Sequence, residues 1–103
     1  MSKKIKISTW NINGINSFIK KDSFQNYINK SNYPPDILCL SEIRTNYKHL
    51  ESKNHYINEF KINDKNHFKK FIFNCSKNFN GYSGTAILSK YNHLNYDFYE
   101  NID

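Results

Sequence analysis

The sequence predicts an α/β fold built on a β-α-β unit, and three observations predict it. A strand-like alternation opens the chain from Ile5 to Trp10, and an amphipathic stretch follows over residues 15–31. A short, nearly all-apolar run, Asp36-Ile37-Leu38-Cys39-Leu40, then comes directly after a proline pair. Strand, helix and a strand apolar on both faces is the order of a parallel pair joined by a crossover, whose default hand is right.

Each element has its own grounds. Ile5 and Ile7 alternate with Lys6 and Ser8 and lead to Trp10, the period of two of a half-buried strand. After the Gly14 turn, Ile15, Phe18, Ile19, Phe24, Tyr27 and Ile28 recur at spacings near 3 to 4, broken once, as in a helix with one apolar face. Tyr33-Pro34-Pro35 stops that helix, because proline lacks the N–H the ladder needs. The run 36–40 has polar residues only at its start and beyond its end, and so reads as a central strand. Residues 44–66 are rich in Lys, Asn and His; Leu50, Tyr56, Ile57 and Phe60 permit a short helix among loops. Residues 68–75 read as a strand, 78–84 as a turn holding two of the three glycines, and 85–90 as an apolar strand. Tyr96, Phe98 and Glu100 suggest a last one. One helix and four or five strands, some apolar on both faces, need a covering layer beyond what these 103 residues provide.

The totals bound the function. The chain is one small domain of net charge +6, a balance compatible with a polyanionic partner. Fourteen lysines stand against one arginine, beside many Asn, Ile, Tyr and Phe, the profile of an A- and T-rich coding sequence. A solvated basic surface is therefore the first reading of the charge. Cys39 and Cys75 are far apart with no C-x-x-C, which argues for small buried hydrophobes over zinc or redox chemistry. No stretch reaches the roughly 20 apolar residues of a membrane span, and Met1 to Lys6 has no apolar run behind it. A reduced, intracellular setting without a membrane partner is the expectation.

The chemistry gathers at two strand ends. In Trp10-Asn11-Ile12-Asn13-Gly14 the asparagines are either turn residues or oxygen donors aimed at a shared site. Glu42 follows the central strand, and ligands in α/β sheets collect at carboxyl ends. If the two strands are parallel partners, Asn11, Asn13 and Glu42 converge as hard oxygen ligands suited to Mg²⁺. Arg44, two residues on, is placed to hold a phosphate oxygen. The bland alternative is a surface glutamate beside an Asn-rich turn.

Three ordered blocks, "KISTWNINGI", "PPDILCLSEIRT" and "GYSGTAILSK", resemble the N-terminal part of the exonuclease III type of apurinic/apyrimidinic endonucleases, within the endonuclease/exonuclease/phosphatase superfamily. The resemblance spans about residues 4–92 and implies a four-layered α/β sandwich, two packed sheets flanked by helices. On this reading residues 1–103 are the N-terminal part of that domain, without its C-terminal half. Such enzymes hydrolyse the DNA backbone 5′ to an abasic site in base-excision repair, using Mg²⁺ (or Mn²⁺) and an activated water.

The resemblance places Asn11 and Glu42 in the catalytic centre and makes Glu42 and Asn13 metal ligands. Arg44, Tyr82, Ser83 and Gly84 fall on the DNA-facing side. Asn16 and Ser41 depart from the family's arginine and glutamine. The family's later tyrosine, its Gly-Asp-x-Asn block, a further aspartate and its Ser-Asp-His orient and deprotonate the water, and none is found here. His49, His55, His67 and His93 read as surface residues, not substitutes. The resemblance thus implies an abasic-DNA substrate, an inactive chain by itself, a complementing C-terminal half, and a nuclear location in a eukaryote or a cytoplasmic one otherwise. A non-catalytic nucleic-acid- or partner-binding remnant, or another Mg²⁺-dependent phosphodiesterase, is the alternative.

Overall fold

A computed structural model describes residues 4–31, 33–46, 55–75, 83–92 and 95. In chain order the elements are β1 (Ile7–Asn11), α1 (Ile15–Lys20), α2 (Ser23–Lys30), β2 (Ile37–Ser41), α3 (His55–Glu59), β3 (Lys70–Asn74) and β4 (Thr85–Ser89). The fold class is α/β: one four-stranded sheet in the order β1-β2-β4-β3. β1 and β2 are parallel, whereas β4 runs antiparallel to both β2 and β3. The last strand expected around Tyr96 and Phe98, and most of the turn at 78–84, lie outside the described residues.

The single helix read over 15–31 is two helices. Lys21 donates back to the Ser17 carbonyl and Asp22 to that of Ile19, closing α1. Asp22 then adopts a left-handed conformation, φ 52°, before α2 begins. Aspartate tolerates that region better than most residues, so the break in spacing marks a corner. Both helices turn their apolar sides to the same sheet face.

Facing also differs at β1. Ile5 and Ile7 are 50% and 61% exposed, whereas Trp10 is half-buried. Ile7 and Trp10 are three residues apart, so in a strand they point to opposite faces. The helices cover the Trp10 face, where Trp10 meets Phe18 edge-on at 4.8 Å and Tyr27 at 5.5 Å. β2 likewise buries Leu38 and Leu40 fully while Ile37 and Cys39 stay half-buried, so only one of its faces is closed. In the opposite row, Thr9-Cys39-Ile87-Ile72, cover increases from β1 toward β3, where Ile72 is 5% exposed.

Between sheet and helices lies one aromatic core. Phe60, just after α3, lies within 5.1 Å of Phe24 and 6.2 Å of both Phe18 and Phe71, measured between ring centres. Cys75 is buried and Cys39 half-buried, neither in a disulfide, and burial pushes the Cys75 thiol pKa up. Among the described residues no helix is long and apolar enough to cross a membrane.

At the end of the sheet away from the β1 and β2 carboxyl termini, Asp36 is the clasp. Its Oδ2 accepts the Lys6 N–H at 2.8 Å, its carbonyl accepts the Lys90 N–H at 2.9 Å, and Lys90 Nζ lies 3.6 Å from Oδ1. The backbone donor from Lys6, offset in part by burial and reinforced by Lys90, holds this carboxyl below the usual range. Its charged form is therefore favoured by folding. That contribution is whole above about pH 4 and is lost as pH falls through the lower folded value. Acid titration of stability is expected to steepen there, and Asp36→Asn to flatten it; equal acid slopes in wild type and variant would refute the assignment.

Candidate active site

The parallel register sets Asn11 opposite Ser41, so β1 and β2 end level with each other. Whatever follows Asn11 must then meet whatever follows Ser41. The meeting is stitched by backbone: Ile12 donates to the Ser41 carbonyl at 3.1 Å, Gly14 to that of Glu42 at 2.8 Å, and Ile15 to that of Ile43 at 2.9 Å. On the other side, Ile43 donates to the Gly84 carbonyl at 3.2 Å and Arg44 to that of Ser83 at 2.8 Å. Residues 42–44 are thereby held between the β1–α1 turn and the approach to β4. Ile43 is fully buried beneath the loop and leaves Glu42 and Arg44 on top.

The backbone here is unusual. Among the described residues seven non-glycines have positive φ, and three of these are not Asn or Asp: Glu42 (53°), Arg44 (52°) and Ser83 (52°). All three lie in this one loop cluster, beside Asn13 (50°). Left-handed residues without the Asn or Asp tolerance carry strain, and such strain concentrates at sites that use it.

The side chains complete the picture. Asn11 donates from Nδ2 to Glu42 Oε2, and its own Oδ1 accepts the Asn13 N–H at 3.2 Å. Arg44 Nη2 donates to Glu42 Oε1 at 2.8 Å. First the Asn11 bond and then Arg44 lower the Glu42 pKa, so the carboxylate is anionic at neutral pH. The Asn13 side chain is exposed, and it is the Asn13 backbone N–H that bonds Asn11. Ser83 and Gly84 contribute carbonyls to the loop, and Tyr82 lies outside the described residues.

The donor set bears on a divalent cation. Among the described residues no three His, Cys, Asp or Glu side chains group together. One ionised, 37% exposed carboxylate remains, Glu42. That fits Mg²⁺ held through a single carboxylate and several waters, not a closed protein cage. Asn11 orients the carboxylate and turns its amide nitrogen toward it.

One residue escaped the reading of the sequence as part of this site. Ile43 is its floor, and the signal was an apolar residue between two charged ones just past a strand end. Asn16 was noted only as a departure from an arginine. Here its Oδ1 accepts the Tyr56 hydroxyl at 2.7 Å, which ties α1 to α3. Of the histidines, His67 is half-buried, with Nε2 2.8 Å from the Pro35 carbonyl and its ring edge-on to Phe68. It lies with Pro35, at the end of the sheet opposite the site. The structural surroundings of His49 and His93 lie outside the described residues.

The sequence profile of the endonuclease/exonuclease/phosphatase family matches residues 8–92. The chain belongs to that family. None of the curated proteins matches it in sequence. Among solved structures it is similar to an AP endonuclease, LMAP, from Leishmania major (TM-score 0.61, 24% identity, covering 82% of this chain and 23% of that one). It is also similar to the catalytic domain of Xenopus laevis APE2 (TM-score 0.55, 26% identity, 82% and 23% covered). A third is the 3′-5′ exonuclease NExo of Neisseria meningitidis (TM-score 0.55, 24% identity, 84% and 27% covered). NExo from Neisseria has also been solved with a product DNA hairpin. The chain thus spans about a quarter of the length of these relatives. Its sheet and helical layer form part of an endonuclease/exonuclease/phosphatase α/β sandwich.

Proposed function

We propose that this chain carries the metal-anchoring strand ends of an abasic-site DNA endonuclease, one that hydrolyses the phosphodiester 5′ to the lesion in base-excision repair. The carrying observation is the Asn11–Glu42 contact at the level ends of two parallel strands. Family membership and neighbours named as an AP endonuclease and as DNA-processing enzymes support nucleic acid as the substrate.

In this reading Glu42 supplies the anionic oxygen for Mg²⁺, or Mn²⁺ in its place. When bound, that ion polarises the scissile phosphate and steadies charge on the leaving oxygen. Asn11 keeps the carboxylate turned into the site, and the Asn13 N–H keeps Asn11 turned in its place. Arg44 and the Ser83-Gly84 backbone face the phosphate path, with Tyr82 beside them in sequence. The water-activating base is, in this reading, none of Asn11, Glu42 and Arg44. In this reading Asn11, Glu42 and Arg44 anchor the metal and the phosphate and do not by themselves turn the substrate over.

A time course on a synthetic abasic duplex with Mg²⁺ tests this. No nicking by the 103-residue chain is expected, together with Mg²⁺-dependent retention of the duplex that Glu42→Ala abolishes. Nicking that Glu42→Ala removes would show a complete site and overturn the reading of these residues as a metal anchor alone. DNA affinity that falls steeply with salt, yet ignores both Mg²⁺ and Glu42→Ala, would instead identify a binding module.

A further inference from the structure

Glu42 already has a cation beside it, and that cation belongs to the protein. Arg44 Nη2 sits 2.8 Å from Glu42 Oε1, on the carboxylate oxygen that Asn11 leaves open. It is the sole arginine among fifteen basic residues, so the one guanidinium in the chain stands at the one ionised carboxylate of this site. A guanidinium offers a planar fork of donors that matches a carboxylate or a phosphate equally well.

We propose that Arg44 is an exchangeable counter-ion: it occupies Glu42 while no metal is there, and is handed to a DNA phosphate when a divalent cation takes the carboxylate. The proposal rests on the metal-anchoring reading of Glu42 given above. Three features support a swing of the side chain alone. The Arg44 main chain is pinned by its N–H to the Ser83 carbonyl, and the neighbouring Ile43 is pinned to Gly84 and fully buried. The two side chains are 47% and 37% exposed, so parting them opens no cavity in the core. A divalent cation held by Glu42 would share that one carboxylate with Arg44, and the positive charges would repel each other, which favours holding one at a time.

Coupling follows from that competition. A divalent ion weakens the Arg44–Glu42 pair, and by reciprocity a phosphate that draws Arg44 away raises affinity for the ion. Metal and DNA backbone would thus bind cooperatively through a single side chain. Free metal would bind less tightly than Glu42 alone permits.

The test uses the full 103-residue chain. Mn²⁺ affinity is measured by calorimetry for wild type and Arg44→Ala, and the Nε–Hε resonance of Arg44, the only such signal in the protein, is followed as Mg²⁺ is added. Arg44→Ala is expected to bind Mn²⁺ about 3- to 10-fold more tightly, the scale of losing an exposed ion pair and a like charge. In wild type the Arg44 resonance is expected to shift in step with Mg²⁺ saturation. Unchanged affinity in Arg44→Ala, or a resonance that stays put while metal binds, overturns the exchange. Absence of metal binding in both proteins removes the metal-anchoring reading itself, and the exchange with it.

Discussion

Phe60→Ala is expected to destabilise the fold by about 3–5 kcal/mol, the usual range for deleting a buried ring. Phe60 is 2% exposed and touches both helices of the crossover, through Phe18 and Phe24, and the sheet, through Phe71. No neighbour is placed to collapse into the gap, because each is itself a ring anchored on a different element. Against a total stability of roughly 5–15 kcal/mol, such a loss leaves little folded protein. Urea unfolding followed by circular dichroism measures it. Ile57→Ala, one helical turn earlier but 44% exposed, is the control and should change stability by about 0.5 kcal/mol or less. Equal effects at the two positions would mean that the aromatic cluster does not hold the helices to the sheet.

The second large effect is at Gly84, where substitution is expected to cost about 2–4 kcal/mol, combining backbone strain with overpacking. Its φ is +91°, a region that L side chains rarely adopt. A Cβ there would lie 3.0 Å from Ile43 Cγ1 and 3.3 Å from the Asn74 carbonyl oxygen. Ile43 is fully buried and cannot retreat, so the loop carrying Glu42 and Arg44 would be pushed outward. Gly84→Ala should therefore lower both stability and metal affinity. Gly14→Ala separates the two causes. Gly14 also has positive φ, +101°, but a Cβ there meets nothing within 4 Å. It should show only the backbone cost, about 1–2 kcal/mol. If the two alanine variants unfold at the same urea concentration, the close packing of Gly84 on Ile43 is not what matters.

Much of the architecture was legible because it is local. The proline pair after Tyr33, the apolar run to Leu40 and the helical spacing around Phe18 each act within a few residues, and each became an element near its expected bounds. The helix read as continuous failed only at Asp22, where one left-handed residue turned a missed beat into a corner. The facing of β1 misled for a different reason. Alternation says that two faces differ, not which one the helices will cover, and Trp10 outweighed two isoleucines.

The site divides the same way. Residue types and order alone nominated Asn11, Asn13, Glu42 and Arg44, since a carboxylate after a buried strand and asparagines after another are chemistry that spacing reveals, whereas Tyr82, Ser83 and Gly84 were implied only by the resemblance of the ordered blocks. Which atoms meet was decided by the parallel register, which levels Asn11 with Ser41 across thirty positions of chain. The tertiary fold alone turned the Asn11 amide to Glu42, set the Asn13 N–H on Asn11 and set the arginine against the carboxylate. Short-range order follows from each residue's own steric and apolar preferences. Contacts between distant residues exist only once the sheet has brought their backbones into register.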